Sequence, residues 1–399
     1  HVMTRDPVCL DVRNTARDAL LAMARHNIHH ALIVRDGRLT CVLSEKDLFA
    51  LKRMSVQGIT SAIARAGKLE SLRQCGRDIS SLAHGLLAQG VEAETLTELI
   101  ATLNDQLTRR LIELETTTLD LPDVRWCWIA LGSEGRMEQT LATDQDNALV
   151  FSVAEETHID AVRKTLLEAA RKINQGLDAC GFPLCKGNIM ASNPKWCLTE
   201  AEWRNQFSRW IDAGGPEELL NASIFFDFRP LAGEEILALD LRAWLADKLR
   251  GNPRFLKQMT QNALRNAPPL GLVRDFVLSD DNAHPHTLDL KLNGATPFVD
   301  GARILALASG LSATGTAQRL VHAGRDLNIP EAEIKSWVQA FHFIQLLRLR
   351  HQHGQQRQGI EPDNHLDPDT LSVLDRRILK EAFRQARKLQ ARLALDYER

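Results

Sequence analysis

Residues 131–151 read LGSEGRMEQTLATDQDNALVF, and the prediction for the rest of the chain starts from this stretch. Gly132 and Ser133 end one hydrophobic run, and Asp144 and Asp146 lead into a second. Two carboxylates at positions i and i+2 of a strand point to the same face of the sheet. The stretch therefore predicts a strand, a tight turn, a short helix and a strand that carries two acids, which is an arrangement suited to a metal ion and a phosphate.

Length, composition and net charge restrict the class of protein. A length of 399 residues predicts two to three domains, and 44% hydrophobic with 25% charged residues is typical of a soluble globular protein. The net charge of −2 gives no general nucleic-acid footprint. We find no run of about 18 apolar residues and no signal-peptide pattern, so a cytoplasmic protein without membrane spans is expected.

The seven cysteines show no CxxC pairing. Cys180, Cys185 and Cys197 are the nearest group, but they lack the short paired spacing of structural zinc ligands. We therefore expect reduced, partly buried thiols rather than a zinc site.

Residues 2–58 predict a small unit: a helix over 11–26, a strand over 31–34, a turn at Asp36-Gly37 and a second strand over 39–43. The string NIHHALIVRDGRLTCVLSEKDLF within it resembles one CBS motif. Such motifs work in pairs and often bind adenine nucleotides, and the resemblance implies ligand contacts from Ser44 and Asp47. The alternative is that both residues only cap the following helix. Because one motif is present alone, we expect either that it pairs with a second copy in a homodimer or that it was truncated from a pair.

Beyond this unit the periodicity changes twice. Residues 59–121 predict helices, and 122–232 alternate strands and helices, with strands expected over 124–131 and 224–228. Residues 233–399 are mostly helical, including a helix over 371–395, with a polar loop over 351–369. The predicted domains are therefore 1–58, 59–121, 122–232 and 233–399.

The residue types at 132–146 suit phosphate and magnesium chemistry. Gly132 lets the backbone approach a phosphate, and Ser133 adds a hydroxyl and an N–H donor. Asp144 and Asp146 are the hard oxygen ligands that Mg²⁺ prefers, and two metal ions can clamp both oxygens of a displacement. A two-metal site usually needs a third carboxylate. Asp227, in the apolar stretch 224–228, is the candidate because an unpaired buried charge is costly.

The string GSEGRMEQTLATDQDNAL resembles the DNA polymerase beta nucleotidyltransferase superfamily. Within it the chain resembles a bacterial family of CBS-containing nucleotidyltransferases, related to the PII-protein uridylyltransferase and the glutamine synthetase adenylyltransferase. Residues 275–311 resemble that family's helical substrate-binding domain. The implied fold class is multidomain α/β plus all-α: a CBS half-module, a helical linker, a polymerase-beta-like mixed-sheet nucleotidyltransferase domain and a C-terminal helical bundle.

The resemblance implies a role for each matching residue. Gly132 and Ser133 would bind the triphosphate, and Asp144 and Asp146 would hold the metal ions. Asp227 would be the third ligand, or the base that activates an acceptor hydroxyl. Further contacts to phosphate, or to the nucleotide and the metal ligands, are expected from Arg136, Gln139, Thr143 and Asn147.

Two features outside the motif stay open. Lys291 alternates with apolar residues, so it either meets a triphosphate across the cleft or pairs with Asp289. The His284-Pro285-His286 segment either binds a cation near Asp280 and Asp281 or packs as a loop beside the cleft.

The expected activity is magnesium-dependent transfer of a nucleoside monophosphate from a nucleoside triphosphate to an acceptor hydroxyl, with release of pyrophosphate. A protein acceptor is expected, with regulation through the CBS motif. One alternative is an adenine-nucleotide sensor with an inactive transferase domain. The other is an RNA nucleotidyltransferase, which would use the Lys and Arg side chains over 376–388; the interleaved Asp375 and Glu381 favour a solvated helix face instead.

Overall fold

In a computed structural model of the chain, the described residues are 7–26, 28–44, 55–117, 119, 124–250, 252–271, 276–280 and 282–397. They divide into two compact units, His1–Ala62 and Ile63–Arg399. Within the described ranges, no helix combines the length and the apolar content needed to cross a membrane.

The first unit is a three-stranded sheet with one helix. Its elements are β1 (Cys9–Asp11), α1 (Ala16–His26), β2 (His30–Arg35) and β3 (Arg38–Ser44). β1 runs parallel to β2, and β3 runs antiparallel to it. Asp36 and Gly37 both have positive φ, 51° and 74°, as the predicted tight hairpin turn requires. Ala19, Met23 and Ala31 form its small core.

Helices open the second unit. α2 (Val56–Arg65) lies at the division between the units, and α3 (Leu69–Ala88) and α4 (Ala93–Thr116) follow. α3 ends just before Gly90, whose φ of 80° lies in the left-handed region that favours glycine. α4 buries one face, which includes Leu103, Leu107 and Leu111. The predicted helical segment between the CBS motif and the central sheet is therefore present.

A four-stranded mixed sheet carries the central stretch. Its strands are β4 (Arg125–Ala130), β5 (Asn147–Ser152), β6 (Cys197–Thr199) and β7 (Arg229–Gly233), in the order β6-β5-β4-β7. β5 is antiparallel to β4 and parallel to β6, and β7 is antiparallel to β4. The intervening helices are α5 (Gly132–Gly135), α6 (Ile159–Ala179), α7 (Glu200–Ala213) and α8 (Pro216–Phe225).

The prediction of a strand over 224–228 is wrong. This segment is the end of α8, followed by a turn before β7 begins at Arg229. Pro216 at the first helical position and two glutamates in the first turn start a helix, which the sequence interpretation overlooked. Phe225 is buried because it packs on the rings of Trp196, Trp203 and Trp210, not because it belongs to a sheet.

The rest of the chain is helical. Its helices are α9 (Glu235–Arg250), α10 (Pro253–Ala263), α11 (Thr296–Ala308), α12 (Thr316–Asp326), α13 (Glu331–Arg357) and α14 (Val373–Tyr397). A π-helical segment, Leu290–Ala295, leads into α11, and a short ladder joins β8 (Leu288–Asp289) to β9 (His365–Leu366). The loop predicted over 351–369 is shorter than expected, since α13 continues to Arg357. The fold class, α/β followed by all-α, is confirmed.

Candidate active site

Asp144 and Asp146 lie on an extended segment that runs directly into β5. The strand itself begins at Asn147, so the expectation that the two acids lie on the strand is wrong by a few residues. The backbone of this segment nevertheless follows the sheet: the N–H of Leu131 donates to the carbonyl of Asp146 at 2.9 Å. The acids are therefore held beside the end of β4, where the Gly132–Gly135 helix begins.

Side chains alternate along this segment as they would on a strand. Gln145 and Asn147 are buried, whereas Asp144 and Asp146 are only partly buried. The Gln145 amide donates to the carbonyl of Asn174 at 2.9 Å. The Asn147 amide oxygen accepts from the N–H of Ala191 at 2.9 Å and from the side chain of Asn174 at 3.0 Å. The amides thus anchor the segment in the interior, and the two acids occupy the opposite side.

A cysteine completes the group around the two acids. Carboxylate oxygens of Asp144 and Asp146 and the Sγ of Cys185 all lie within 4.8 Å of one another. Among the residues that the structure describes, no other set of three His, Cys, Asp or Glu side chains converges in this way. Sequence spacing did not predict Cys185 as a member, because the loop that carries it meets the acids only after folding.

Nearby cations offset only part of the negative charge at this group. Burial and the neighbouring Asp144 carboxylate raise the pKa of Asp146 to about 6, although a hydrogen bond from the Cys185 thiol and the charge of Lys291 lower it. Burial, together with Asp146 and Asp105, also raises the pKa of Glu134 well above its usual range. Such an excess of acid favours a bound cation.

The turn between β4 and α5 is pressed against the acids. Gly132 has a φ of 50°, and a Cβ at this position would lie 2.8 Å from Oδ2 of Asp146. Only glycine accepts both the backbone conformation and the contact. Arg229 also fixes the backbone of the turn, because it donates to the carbonyl of Glu134 at 3.0 Å and to Asp105 at 2.7 Å. Neither Arg229 nor Asp105 was predicted in this role.

Asp227 lies elsewhere, in a cluster of arginines. Its carboxylate accepts from Arg303 at 2.6 and 2.9 Å, from Arg136 at 2.6 Å and from Arg319 at 2.5 Å, and its side chain is fully buried. Burial alone would raise the pKa of Asp227, but the three guanidinium groups outweigh it and hold this pKa far below the usual range. The expected partner of this buried acid was a metal ion; in the structure its partners are arginines.

Arg136 is likewise occupied by carboxylates. Its Nε donates to Glu138 at 2.8 Å and its Nη1 to Asp227 at 2.6 Å, so its guanidinium does not have the free fork expected for a phosphate ligand. Glu138 in turn accepts from the backbone N–H of Thr316 at 2.5 Å. Arg136 and Glu138 thus tie the motif to the first residue of α12.

The other residues predicted to contact the nucleotide differ in their surroundings. The Gln139 side chain is buried and accepts from Asn104 at 3.2 Å, and the Thr143 hydroxyl pairs with the backbone of Thr140. Lys291 is exposed on the π-helical segment, and its charge reaches Asp146, as the pKa of that acid indicates. Whether Lys291 meets a triphosphate or pairs with Asp289 or another surface acid stays a prediction.

Two further predictions concern residues outside this group. His284 stacks on His365 with ring centroids 3.7 Å apart, which favours the packing alternative for the His-Pro-His segment. In the CBS motif, Ser44 is the last residue of β3, and Asp47 lies outside the described residues. The Ser44–Asp47 ligand pair therefore stays a prediction.

Two of the C-terminal arginines expected for an RNA-binding face have acidic partners, and a third, Arg387, donates to the backbone carbonyls of Pro268 and Leu270. Arg376 pairs with Asp369 at 2.5 Å, and Arg384 pairs with Glu381 at 3.0 Å. These pairs agree with the interpretation of α14 as a solvated helix face.

Paired carboxylates beside a glycine turn, on a small mixed sheet followed by a helical region, are the arrangement that the sequence resemblance to nucleotidyltransferases implies. Three family models match the chain. Residues 77–217 match "Putative nucleotidyltransferase DUF294", residues 253–397 match "Putative nucleotidyltransferase substrate binding domain", and residues 1–53 match the CBS domain. No curated protein matches the chain.

The three matches confirm the resemblance found in the sequence: the chain belongs to the CBS-containing nucleotidyltransferase family. At this family level it is a nucleotidyltransferase combined with a CBS domain. A nucleotide substrate and a divalent metal ion follow from the same family, and CBS domains in general bind adenine nucleotides.

Proposed function

We propose that this protein transfers a nucleoside monophosphate from a nucleoside triphosphate to a hydroxyl group of a protein acceptor, in a magnesium-dependent reaction that releases pyrophosphate. The observation that carries the proposal is the convergence of the Asp144 and Asp146 carboxylates beside the Gly132 turn. The acids are close enough to share a cation, and the protein supplies little positive charge to balance them.

The donor set fits a divalent cation. Carboxylate oxygens are the ligands that Mg²⁺ prefers, and the raised pKa of Asp146 indicates negative charge that a cation would relieve. A magnesium ion held by Asp144 and Asp146 would supply Lewis-acid stabilisation of charge on the transferring phosphoryl group. The family resemblance is the reason to include a second metal ion in the proposal. Asp227, the expected third ligand, is already bonded to arginines.

The chain's own residues bind and orient the triphosphate. Gly132 keeps the turn open to the phosphates because no Cβ stands between the backbone and the acids. Ser133 adds its hydroxyl and N–H, and Lys291 brings a positive charge from the C-terminal region to the same cleft. Gln145 and Asn147 fix the direction of the two acids through their buried amides.

Asp227 acts in this proposal as a positioning residue, not as the base. Its three arginines come from the motif and from α11 and α12, so its carboxylate joins the nucleotidyltransferase core to the helical region. We include a cytoplasmic location, a homodimer formed through the CBS motif, and regulation by an adenine nucleotide at Ser44 and Asp47 as further parts of the proposal. A calorimetric titration with adenine nucleotides tests this last part, because Asp47→Ala should weaken binding.

The main test combines the changes Asp144→Asn and Asp146→Asn. We expect pyrophosphate release in the presence of Mg²⁺ to fall by about 10³-fold, which corresponds to several kcal/mol of lost charge stabilisation. The matched control is Asp160→Asn with Asp178→Asn, which removes the same charge from exposed positions of α6. Unchanged turnover in the Asp144/Asp146 variant would refute the assignment.

The acceptor is identified by incubating the protein with labelled nucleoside triphosphates and cell lysate. We expect a labelled product that is destroyed by protease and resists nuclease, and that is absent with the Asp144/Asp146 variant. A label that nuclease removes would replace the protein acceptor by RNA.

A further inference from the structure

We propose that the thiol of Cys185 is the third protein donor of the metal site, so that the site binds a thiophilic dication such as Zn²⁺ more tightly than Mg²⁺. This inference rests on the proposed function, because Asp144 and Asp146 supply the other two donors. It departs from the all-carboxylate set expected from the sequence, in which Asp227 would fill the third place.

The first support is the position of the sulfur. Sγ of Cys185 and one oxygen each from Asp144 and Asp146 lie within 4.8 Å of one another, which is close enough for the three side chains to converge on one ion. A hydrogen bond from this thiol is one of the influences that lower the pKa of Asp146. A cation placed between these groups would take over the position of that thiol proton.

The second support is how the cysteine is held. The N–H of Gln145 donates to the carbonyl of Pro183 at 3.0 Å, and the N–H of Asn147 donates to the carbonyl of Ile189 at 3.1 Å. The loop that carries Cys185 is therefore fixed at two points by the residues on either side of Asp146. The Phe182 carbonyl adds a third point, because it accepts from the Gln145 side chain at 2.8 Å.

The third support comes from the alternative donor. Asp227 makes hydrogen bonds to three arginines, and withdrawing it would leave those buried cations without their common partner. Among the described residues, Cys185 is the side chain that joins the two acids in a group of three.

The chemistry of a thiolate then decides which metal ions are preferred. A set of two carboxylates and one thiolate combines hard and soft donors, and soft donors favour zinc-like ions over magnesium. Binding of such an ion displaces the thiol proton, because only the thiolate is a ligand. Mg²⁺ gains little from sulfur and would rely on the two carboxylates alone.

The direct test is optical titration of the full chain with Cd²⁺, a thiophilic probe that gives a sulfur-to-metal charge-transfer absorption in the ultraviolet. We expect this absorption with the wild-type protein and its loss in both Cys185→Ala and Cys185→Ser. The matched control is Cys41→Ala, which removes an exposed thiol outside the group and should keep the absorption. Affinity for Zn²⁺ should fall by at least about tenfold in the Cys185 variants, whereas Mg²⁺ affinity should change less than about twofold.

A second measurement needs no variant and therefore does not depend on folding of the mutants. Wild-type protein is treated with iodoacetamide, with and without Zn²⁺, and the modified cysteines are mapped by mass spectrometry. Zn²⁺ should protect Cys185, while the exposed Cys9 and Cys41 should react equally in both samples.

The outcomes separate this inference from the proposed function. If Cys185 stays reactive with Zn²⁺ and the Cys185 variants keep full Zn²⁺ affinity, the thiol is not a ligand and the inference is wrong. If at the same time the Asp144/Asp146 variant loses turnover, the proposed function stands on the carboxylates alone. Retained turnover in that variant would instead remove the proposed function.

Discussion

Two aspartates lie against the same four-residue helix, and the side chains of the fully buried Asp227 and the partly buried Asp146 have opposite electrostatic surroundings. The backbone of Asp227 lies against Gly135, and its side chain is surrounded by arginines. The side chain of Asp146 lies against Gly132, and its close neighbours include another aspartate and a cysteine. The pKa of Asp227 is held far below its usual range, whereas burial and Asp144 raise that of Asp146 to about 6.

The difference distinguishes an acid whose charge is balanced within the fold from an acid that, in our proposal, binds a cation. Where arginines already satisfy every oxygen, a carboxylate holds parts of the chain together, and an added cation has no place to bind. Where acids are gathered and nearby cations offset only part of their charge, the charged form of the acid is disfavoured, and such sites are commonly functional.

Asp227→Asn should be strongly destabilising. The change removes the charge that Arg303 and Arg319 share, and breaking a buried ion pair on one side costs about 3–5 kcal/mol. We expect a large fall in the denaturant midpoint measured by tryptophan fluorescence. Asp247→Asn is the matched control, since Asp247 pairs with Arg250 at an exposed position, where such a pair contributes about 0–1 kcal/mol.

The pH dependence of this loss has a defined sign. Because the pKa of Asp227 is depressed in the folded protein, its stabilising contribution is present above the unfolded pKa, near 3.8, and disappears only as the pH falls toward the folded value. The stability gap between wild type and Asp227→Asn should stay constant from pH 8 to about pH 4 and narrow below that. Equal stability of the two proteins at pH 7 would contradict the structural role.

Replacing Gly135 or Gly132 by alanine should have different effects, because each glycine lies against a different aspartate. A Cβ at Gly135 would lie 2.2 Å from the backbone oxygen of Asp227, so Gly135→Ala should cost about 1–3 kcal/mol in stability. Gly132→Ala should cost about 1–2 kcal/mol for its left-handed backbone and should also weaken metal binding, because the new methyl group displaces the Asp146 carboxylate.

The control for both glycine changes is Gly85→Ala in α3, where a Cβ would meet no atom within 4 Å. It should be neutral or slightly stabilising, as alanine favours a helix. Calorimetric metal titration and denaturant unfolding, run on all three variants, should show weakened metal binding only in Gly132→Ala if the contrast is correct.

The sequence predicts the surroundings of Asp146 better than it predicts the surroundings of Asp227. Gly132, Asp144 and Asp146 lie within one short stretch, and spacing alone indicates that they meet. The helical segments and the CBS motif were also predicted, because each is defined by local periodicity. By contrast, no local sequence pattern predicts the contacts of Arg303, Arg319 and Cys185, because these residues are distant in sequence from their partners.

Asp227 shows where the inference from sequence reaches its limit. The requirement that a buried acid must have a partner was correct, but a metal ion and an arginine satisfy it equally well. The aromatic residues around Asp227 suggested a buried strand, although they line the end of α8 and the turn after it. Only tertiary packing decides between these alternatives.

Lys291→Met should raise the KM for the nucleoside triphosphate by about tenfold, which is about 1.4 kcal/mol of binding. The charge of Lys291 is one of the influences that lower the pKa of Asp146, and in our proposal the triphosphate would use this charge. Lys291→Arg should retain most of the affinity, and Lys172→Met, at an exposed position of α6, serves as the control. An unchanged KM in Lys291→Met would place this lysine outside the cleft.

Asp146→Asn should stabilise the chelator-treated protein at high pH, in contrast to Asp227→Asn. Because the pKa of Asp146 is raised to about 6 in the folded protein, its neutral form is favoured there, and stability is lost as the pH rises through that value. The variant escapes this loss, so its advantage over wild type should be near zero at pH 4 and on the order of 1 kcal/mol at pH 8 after solvent screening.

Saturating metal should reverse the sign of the Asp146→Asn effect, because the wild-type protein alone then gains the free energy of metal binding. Thermal unfolding at pH 4 and pH 8, with chelator and with Mg²⁺, gives all four values, and the exposed Asp178→Asn should show no trend. If Asp146→Asn were destabilising at pH 8 without metal, Asp146 would be held by the protein as Asp227 is, and the distinction between the two carboxylates would fail.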